Sequence, residues 1–309
     1  MTIRLNSLGP LKINTTVLPI VSGSLALGTV QEPSEHSGQL FPTLQLIRGQ
    51  IPQLTAQIPF RAAYDLIGFT ALDVTACEIY YARYTDADDA GAQGIKSTGT
   101  DHTYFDLATD AGALAVITGV SVAQDGLLLA DIQVTFRAPD ATTHPLVKNT
   151  DGTLPTLSTQ PVIHTMGPVQ LQGTVYDGIQ DWSLDLAQVV EPVRTDGDLY
   201  PTTVLYRGGT PSFSVTTNNI QDTLANLDLI GETAASSIFY ARQHDTTTGI
   251  VVGGATAISM TVARGVITYD TVDAAQQDLA SAPLTITPVA APATADTHPV
   301  VVSTGATAP

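Results

Sequence analysis

Six histidines, one cysteine and a handful of arginines are the side chains in this 309-residue chain whose chemistry could be put to work. His36, His102, His144, His164, His244 and His298 are scattered, and none pair at metal-ligand spacing. His144 and His298 each stand in a Thr-His-Pro run, which reads first as a turn or strand-end side chain held by hydrogen bonds. Cys77 is alone, so neither an intrachain disulfide nor a cysteine zinc site can form. Asp86-Ala87-Asp88-Asp89-Ala90-Gly91 resembles the start of a calcium loop. Its fifth place is Ala90 and its twelfth is Ser97, where ligating oxygens and a bidentate Glu belong, so a solvated acidic loop is the better reading. Asp101-His102 could join a serine in a triad, but Ser and Asp are too common here for that to carry weight. Dinucleotide, phosphate-loop, nucleophile-elbow and His-Glu-x-x-His motifs are missing. The sequence therefore predicts no catalytic, cofactor-binding or metal-binding residue and no enzyme.

The arginines are more ordered. Among nine, Arg48 matches Arg207 and Arg83 matches Arg242 in two pairs of similar segments. Two readings stand side by side: an ion pair within a domain, or a planar fork that grips a carboxylate across a subunit interface. Arg48, Arg83, Arg207 and Arg242 are the candidate interface residues. The aromatics beside them, Tyr80, Tyr81, Phe239 and Tyr240, read as core and strand-pair residues.

The elements that must position these side chains follow from composition. The formal net charge is -17, and Lys12, Lys96 and Lys148 are the only lysines. Gripping a phosphate backbone takes clustered cations, so nucleic acid as a held ligand is excluded. With 43% apolar and 13% charged residues the chain folds rather than staying disordered. No stretch of 18 apolar residues suggests a membrane-spanning helix, and Pro19, Ser22, Gly23 and Ser24 interrupt the apolar run after Arg4 and Lys12 that could be mistaken for a leader. Thr, Val, Gly and Asp outweigh the helix formers Glu and Lys. Period-two alternation marks strands at 131–136, 212–216, 257–262 and 284–287. A short helix fits 61–67, stopped by Gly68, and a second fits 219–230, stopped by Gly231.

The chain also repeats itself. Residues 41–52 lie over 200–211 with Pro, Thr, Leu, Arg, Gly and Pro shared, at an offset of 159. Ile79-Tyr80-Tyr81-Ala82-Arg83 lies over Ile238-Phe239-Tyr240-Ala241-Arg242 at the same offset. Asp65-Leu66-Ile67-Gly68 matches Asp228-Leu229-Ile230-Gly231, Thr143-His144-Pro145 matches Thr297-His298-Pro299, and Gly28-Thr29-Val30 is set against Gly173-Thr174-Val175. The expectation is a mainly β chain, a tandem duplication of a β-sandwich or half-barrel domain with about one flanking helix each. The first domain spans 1–150, a linker 151–161 and the second domain 162–309. Copy-specific insertions are expected at 86–106 and at 176–198, the latter projecting with Trp182.

With its two repeated runs, its acidic, cysteine-poor composition and its doubled β unit, the chain resembles the major tail (tail tube) proteins of long-tailed, siphovirus-like bacteriophages, above all those with two fused tube domains. That resemblance implies sheets joined around an axis into a continuous inner barrel, and rings stacked into a hollow conduit for DNA. A two-domain subunit would make trimeric, pseudo-hexameric rings. The partners implied are further copies of itself and other tail proteins, with DNA passing through without specific binding and no membrane. The place implied is the virion tail, assembled in the host cytoplasm, and no cofactor is implied. Alternatives are a capsid decoration or baseplate protein, and a cell-surface tandem β-sandwich adhesion module.

Overall fold

A computed structural model describes residues 6–34, 44–83, 102–157, 161–195, 197–219, 232–269, 281–290 and 297–309. The fold is mainly β. In chain order the elements are β1 (Asn6–Ile13), β2 (Thr16–Leu18), β3 (Ser22–Ala26), β4 (Thr29–Ser34), β5 (Leu44–Gln50), β6 (Gln53–Pro59), α1 (Phe60–Ile67), β7 (Ala71–Val74), β8 (Cys77–Arg83), β9 (His102–Leu107), β10 (Gly112–Ala123), β11 (Leu129–Arg137) and β12 (Leu146–Gly152). There follow β13 (Ile163–Leu171), β14 (Thr174–Tyr176), β15 (Ile179–Asp185), β16 (Val190–Val193), β17 (Thr203–Tyr206), β18 (Ser212–Thr217), β19 (Glu232–Thr233), β20 (Ser237–His244), β21 (Ala257–Val262), β22 (Gly265–Tyr269), β23 (Ala282–Pro288) and β24 (Val300–Ala306).

Strict alternation makes the large sheet two-faced. In β6, Leu54, Ala56 and Ile58 are buried while Thr55 is exposed; β11 buries Ala130, Ile132 and Val134 between Asp131 and Gln133. The same period sets Phe213 and Val215 of β18 inward and Ser214 outward. β6 runs straight into α1, whose Phe60, Ala63 and Ile67 are buried. Gly68 ends the helix at φ 69, its N–H donating to the Tyr64 carbonyl, a conformation costly for a residue with a Cβ. This is the 61–67 helix expected from sequence; the one expected at 219–230 lies almost wholly outside the described residues.

The inward faces meet as a sandwich. Trp182 on β15 is 1% exposed and sits 5.4 Å from Phe239 on β20, which stacks at 4.1 Å on Phe213 of β18. In the first half, Leu54 and Ile58 of β6, Ile132 and Phe136 of β11, Leu11 and Ile13 of β1 and Ile79 of β8 join the same continuous core. Burying Trp182 alone at this depth is worth roughly 3 kcal/mol of transfer energy.

Strand order follows one plan twice. Two five-stranded antiparallel sheets run β2-β1-β8-β9-β12 and β14-β13-β20-β21-β24. A long sheet runs β19-β22-β23-β18-β15-β10-β11-β6-β3, with β7 also on β10; its halves therefore read β7-β10-β11-β6-β3 and β19-β22-β23-β18-β15. Two separate two-stranded hairpins, β4-β5 and β16-β17, complete the scheme. Register agrees. β1 slips against β8 between Leu8 and Leu11, and β13 slips against β20 between Met166 and Val169. Both slips hold a Gly-Pro pair, Gly9-Pro10 and Gly167-Pro168. A Cβ on Gly9 would lie 3.0 Å from the Tyr80 carbonyl oxygen, and one on Gly167 2.9 Å from that of Tyr240, so each bulge calls for glycine.

Several sequence expectations change here. Residues 176–198 are not an insertion: β15 takes the place in its half that β3 takes in the other, and β16 that of β4. Trp182 accordingly lies in the core, in the register place of Gly23, rather than on a projecting loop. Gly28-Thr29-Val30 and Gly173-Thr174-Val175 are not counterparts, since Thr29 opens a hairpin with β5 whereas Thr174 pairs with Leu171 of β13. The expected linker starts inside β12, where Gly152 still pairs with His102. Of the insertion expected at 86–106, residues 102–106 belong to β9, and the rest lies outside the described residues.

Candidate functional site

The two halves are joined through their sheets. β10 is long enough for two partners: Ala113–Val116 pair with β7 of its own half, and Gly119–Ala123 pair with Asp181–Asp185 of β15. Gln124 N–H donates to the Gln180 carbonyl and Leu186 N–H to that of Thr118, so the even residues of β15 bond β10 and the odd ones face β18. In the other half, Phe60 N–H donates to Leu128 O and Phe136 N–H to Pro52 O, so the even residues of β6 bond β11 and the odd ones bond β3. The main-chain groups of Gly23 and Leu25 on β3, which pair with even Ala56 and Leu54, therefore point to the far edge. Among the described residues no strand lies on that edge. It is flanked by Val21, 55% exposed, and Leu27, 45% exposed. An open strand edge with apolar flanks is a ready template for pairing with another chain.

The outward face of the long sheet is mostly polar, with Leu129 and Val266 as apolar exceptions by register. Ser22 and Ser24 of β3, Thr55 and Gln57 of β6, Asp131 and Gln133 of β11, Ser121 of β10, Asp181, Ser183 and Asp185 of β15, Ser214 and Thr216 of β18 and Thr285 of β23 share it by register. Neighbours bond across strands: Gln57 donates to Asp131 at 3.2 Å, Thr216 to Asp181 at 3.0 Å, and Ser24 and Thr55 share a bond of 3.0 Å. Two adjoining shallow hollows, about 460 and 300 Å³, lie on this face and share Thr118 and Asp131. Neither is lined by a lysine or arginine. Arg137, at the very end of β11, is neutralised by Asp73 at 3.1 Å. The face can hydrate and repel anions, and it offers no grip for a phosphate backbone.

The four candidate arginines are dispersed. Arg207 follows β17, and its Nε donates to Glu191 of the same hairpin at 2.6 Å, so it forms an ion pair within one half. Both partners are about half exposed, which makes the pair worth less than about 1 kcal/mol. Arg48 occupies the same place beside β4 and is exposed. The Glu-Pro on the first strand of both hairpins, Glu32-Pro33 of β4 and Glu191-Pro192 of β16, is a repeat that sequence comparison could have found. Arg83 and Arg242 are not counterparts: Arg83 stands opposite Asn6, whereas Arg242 stands opposite Thr165, one register step away from the matching place. A one-residue step puts a strand residue on the opposite face. The structure brings none of the four together.

Four of the histidines have structural partners or burial in the fold. The Nδ1 of His144 lies 3.0 Å from the Leu146 amide, and that of His298 lies 3.2 Å from the Val300 amide, the same turn in both halves. Each ring also crosses to the other half, His144 against Tyr200 at 5.1 Å and His298 against Phe69 at 4.9 Å. Burial lowers the pKa of His298. His244 bonds Thr165 at 2.7 Å and the Gly249 carbonyl at 2.8 Å. His164 is 4% exposed, and burial, aided by Arg61, brings its pKa down to about 4. Burial pushes the Cys77 thiol up to about 12, which leaves no thiolate at neutral pH. Among the described residues no set of three His, Cys, Asp or Glu side chains converges as a metal site. The acidic run 86–91, Asp101 and His36 lie outside the described residues. No described helix is long and apolar enough to cross a membrane.

Compared with known proteins, the chain matches no family, and no curated protein matches it.

Proposed function

We propose that the chain is a virion structural subunit of the tail-tube kind. It would be a duplicated domain whose long sheet continues from copy to copy into a closed barrel around a DNA conduit. The observation that carries this reading is the edge of β3, unpaired among the described residues, at one end of a sheet that already joins its two halves by the equivalent strand, β15. A half that recruits a neighbour through β15 in one copy of the plan has the same means, β3, to recruit one through the other. The complementary stretch, the counterpart of Gly119–Ala123, falls after Tyr269 and outside the described residues.

Eight strands per chain, β22 to β3 along the sheet, would give a three-chain ring about 24 strands. At ~4.8 Å per strand that is a circumference of about 115 Å, wider than the barrels of 16–18 strands that already hold an aqueous channel. The hydroxyl and carboxylate face suits the inner wall. DNA must slide past it, and a wall without cations forgoes the counterion release that makes DNA adhere. Closure also removes the exposed edge of β3. No step of this role asks for covalent chemistry, a cofactor or a membrane.

Negative-stain electron microscopy of the purified full chain, with mass measured in solution, tests the reading. Rings or hollow fibres with threefold or sixfold end views support it. Compact trimers that never stack would favour a decoration protein instead, and a monomer at every concentration would sink the self-assembly on which the reading depends.

A further inference from the structure

The hairpins carry a second, separate contact. β16-β17, in the second half, runs close to β11 of the first half. The segment between its strands is tied there by Leu199 N–H to the Ala141 carbonyl at 2.9 Å, and Ala138 N–H donates to the Pro201 carbonyl at 2.8 Å. Tyr206 on the hairpin, and Leu114 and Arg137 at the end of the β10-β11 ladder, are each half-buried. Desolvation there raises the pKa of Tyr206.

Each position has a register counterpart in the other half. Tyr206 corresponds to Ile47 of β5, Leu114 to Val266 of β22, and Arg137 to Val289, which directly follows β23. All three counterparts are apolar and open to solvent: Ile47 is 56%, Val266 47% and Val289 52% exposed. Arm and seat are present on one chain; the base of the arm is held by its own chain, where Gln50 N–H donates to the Leu199 carbonyl at 2.7 Å, while Ile47 on the arm and Val266 and Val289 on the seat remain exposed.

We infer that the β4-β5 hairpin of one copy docks over the β22-β23 end of another copy's second half, repeating between chains the contact that β16-β17 makes within one. The occupant is a second copy because the seat is shaped by the same plan that already holds β16-β17. The contact is heterologous: arm and seat are different surfaces, so it propagates in one direction around a ring or along a fibre. This inference rests on the self-assembly reading and adds a docking surface distinct from the β3 edge.

A mixing experiment tests it. Ile47→Asp disables the arm and Val289→Asp disables the seat; both residues are mostly exposed, and far-ultraviolet circular dichroism checks that each variant is folded. Each variant alone should fail to reach the native assembly at concentrations where the native chain assembles, because the β3 edge is then its sole intact contact. Mixed in equal amounts, one of them isotope-labelled, they should form mixed pairs in excess of self-pairs, because an intact arm meets an intact seat only between unlike variants; native mass spectrometry reads this directly. If either variant alone assembles like the native chain, or mixed pairs do not exceed self-pairs, the docking inference is wrong. If the native chain itself never assembles, the tube reading fails with it, so the two failures are told apart by that control.

Discussion

Leu25 and Leu184 hold the same register place, one on β3 and one on β15, and proline at each should have opposite consequences. The N–H of Leu184 faces β10 in the middle of the sheet, and its side chain is 1% exposed. Leu184→Pro removes that ladder bond, at a cost of about 3 kcal/mol, and truncates a core side chain, at about 2 kcal/mol more. A loss of roughly 5 kcal/mol equals the whole stability of many domains. The N–H of Leu25 faces the open edge, so Leu25→Pro removes no intrachain ladder bond. Its half-buried side chain accounts for about 1 kcal/mol. Urea unfolding followed by the fluorescence of Trp182, the only tryptophan and a core residue, reads both losses. The expected result is an unfolded or badly destabilised Leu184→Pro chain, and a Leu25→Pro chain that unfolds near the native midpoint yet no longer assembles. Equal destabilisation by the two prolines would refute the assignment of β3 as an open edge. Normal assembly of Leu25→Pro would refute strand addition through it.

Other consequences are as direct. Gly167→Ala and Gly9→Ala each push a Cβ to about 3 Å from a main-chain carbonyl, so each should lower stability by about 1–3 kcal/mol, read as a lower urea midpoint. His164 is held neutral with a pKa of about 4, below its usual 6.5, so the unfolded chain binds the extra proton. Its contribution is complete above pH 6.5 and is lost as the pH falls to about 4, in all about 3 kcal/mol. His164→Gln should flatten that part of the pH–stability curve. Replacing Asp131, Asp181 and Asp185 together by Lys would place three cations per chain on the face proposed to line the bore. Assembled material should then retain duplex DNA at low salt and release it steeply as salt rises, whereas the native face retains none; a salt-independent result would place that face away from DNA.

Much of the architecture was legible in the sequence, for a physical reason: period-two alternation reports burial directly, and the strands at 131–136, 212–216, 257–262 and 284–287 lie where it put them. Gly68 likewise announced the end of α1. Register was the harder problem. Identity aligned Tyr81 with Tyr240, but the bulges at Gly9-Pro10 and Gly167-Pro168 set Tyr80 and Tyr240 in the same place, which moved Arg83 and Arg242 out of correspondence. A bulge shifts pairing by one residue without altering the neighbouring letters. The chance likeness of Gly28-Thr29-Val30 to Gly173-Thr174-Val175 similarly created a false insertion around Trp182. The outward face of the long sheet could not be read in advance, because its Ser, Thr and Asp come from strands far apart in the chain and meet only through register.

The double use of β10 has a mechanical consequence. One continuous beam carries β7 on its first portion and β15 on its last, so the halves share a rigid member instead of a hinge. The angle between them is fixed by the twist of a β-ladder, and the curvature of any larger object is already written into a single polypeptide. In the proposed ring, every second joint would be formed by folding rather than by collision, and its diameter would be inherited from geometry set before any two molecules meet.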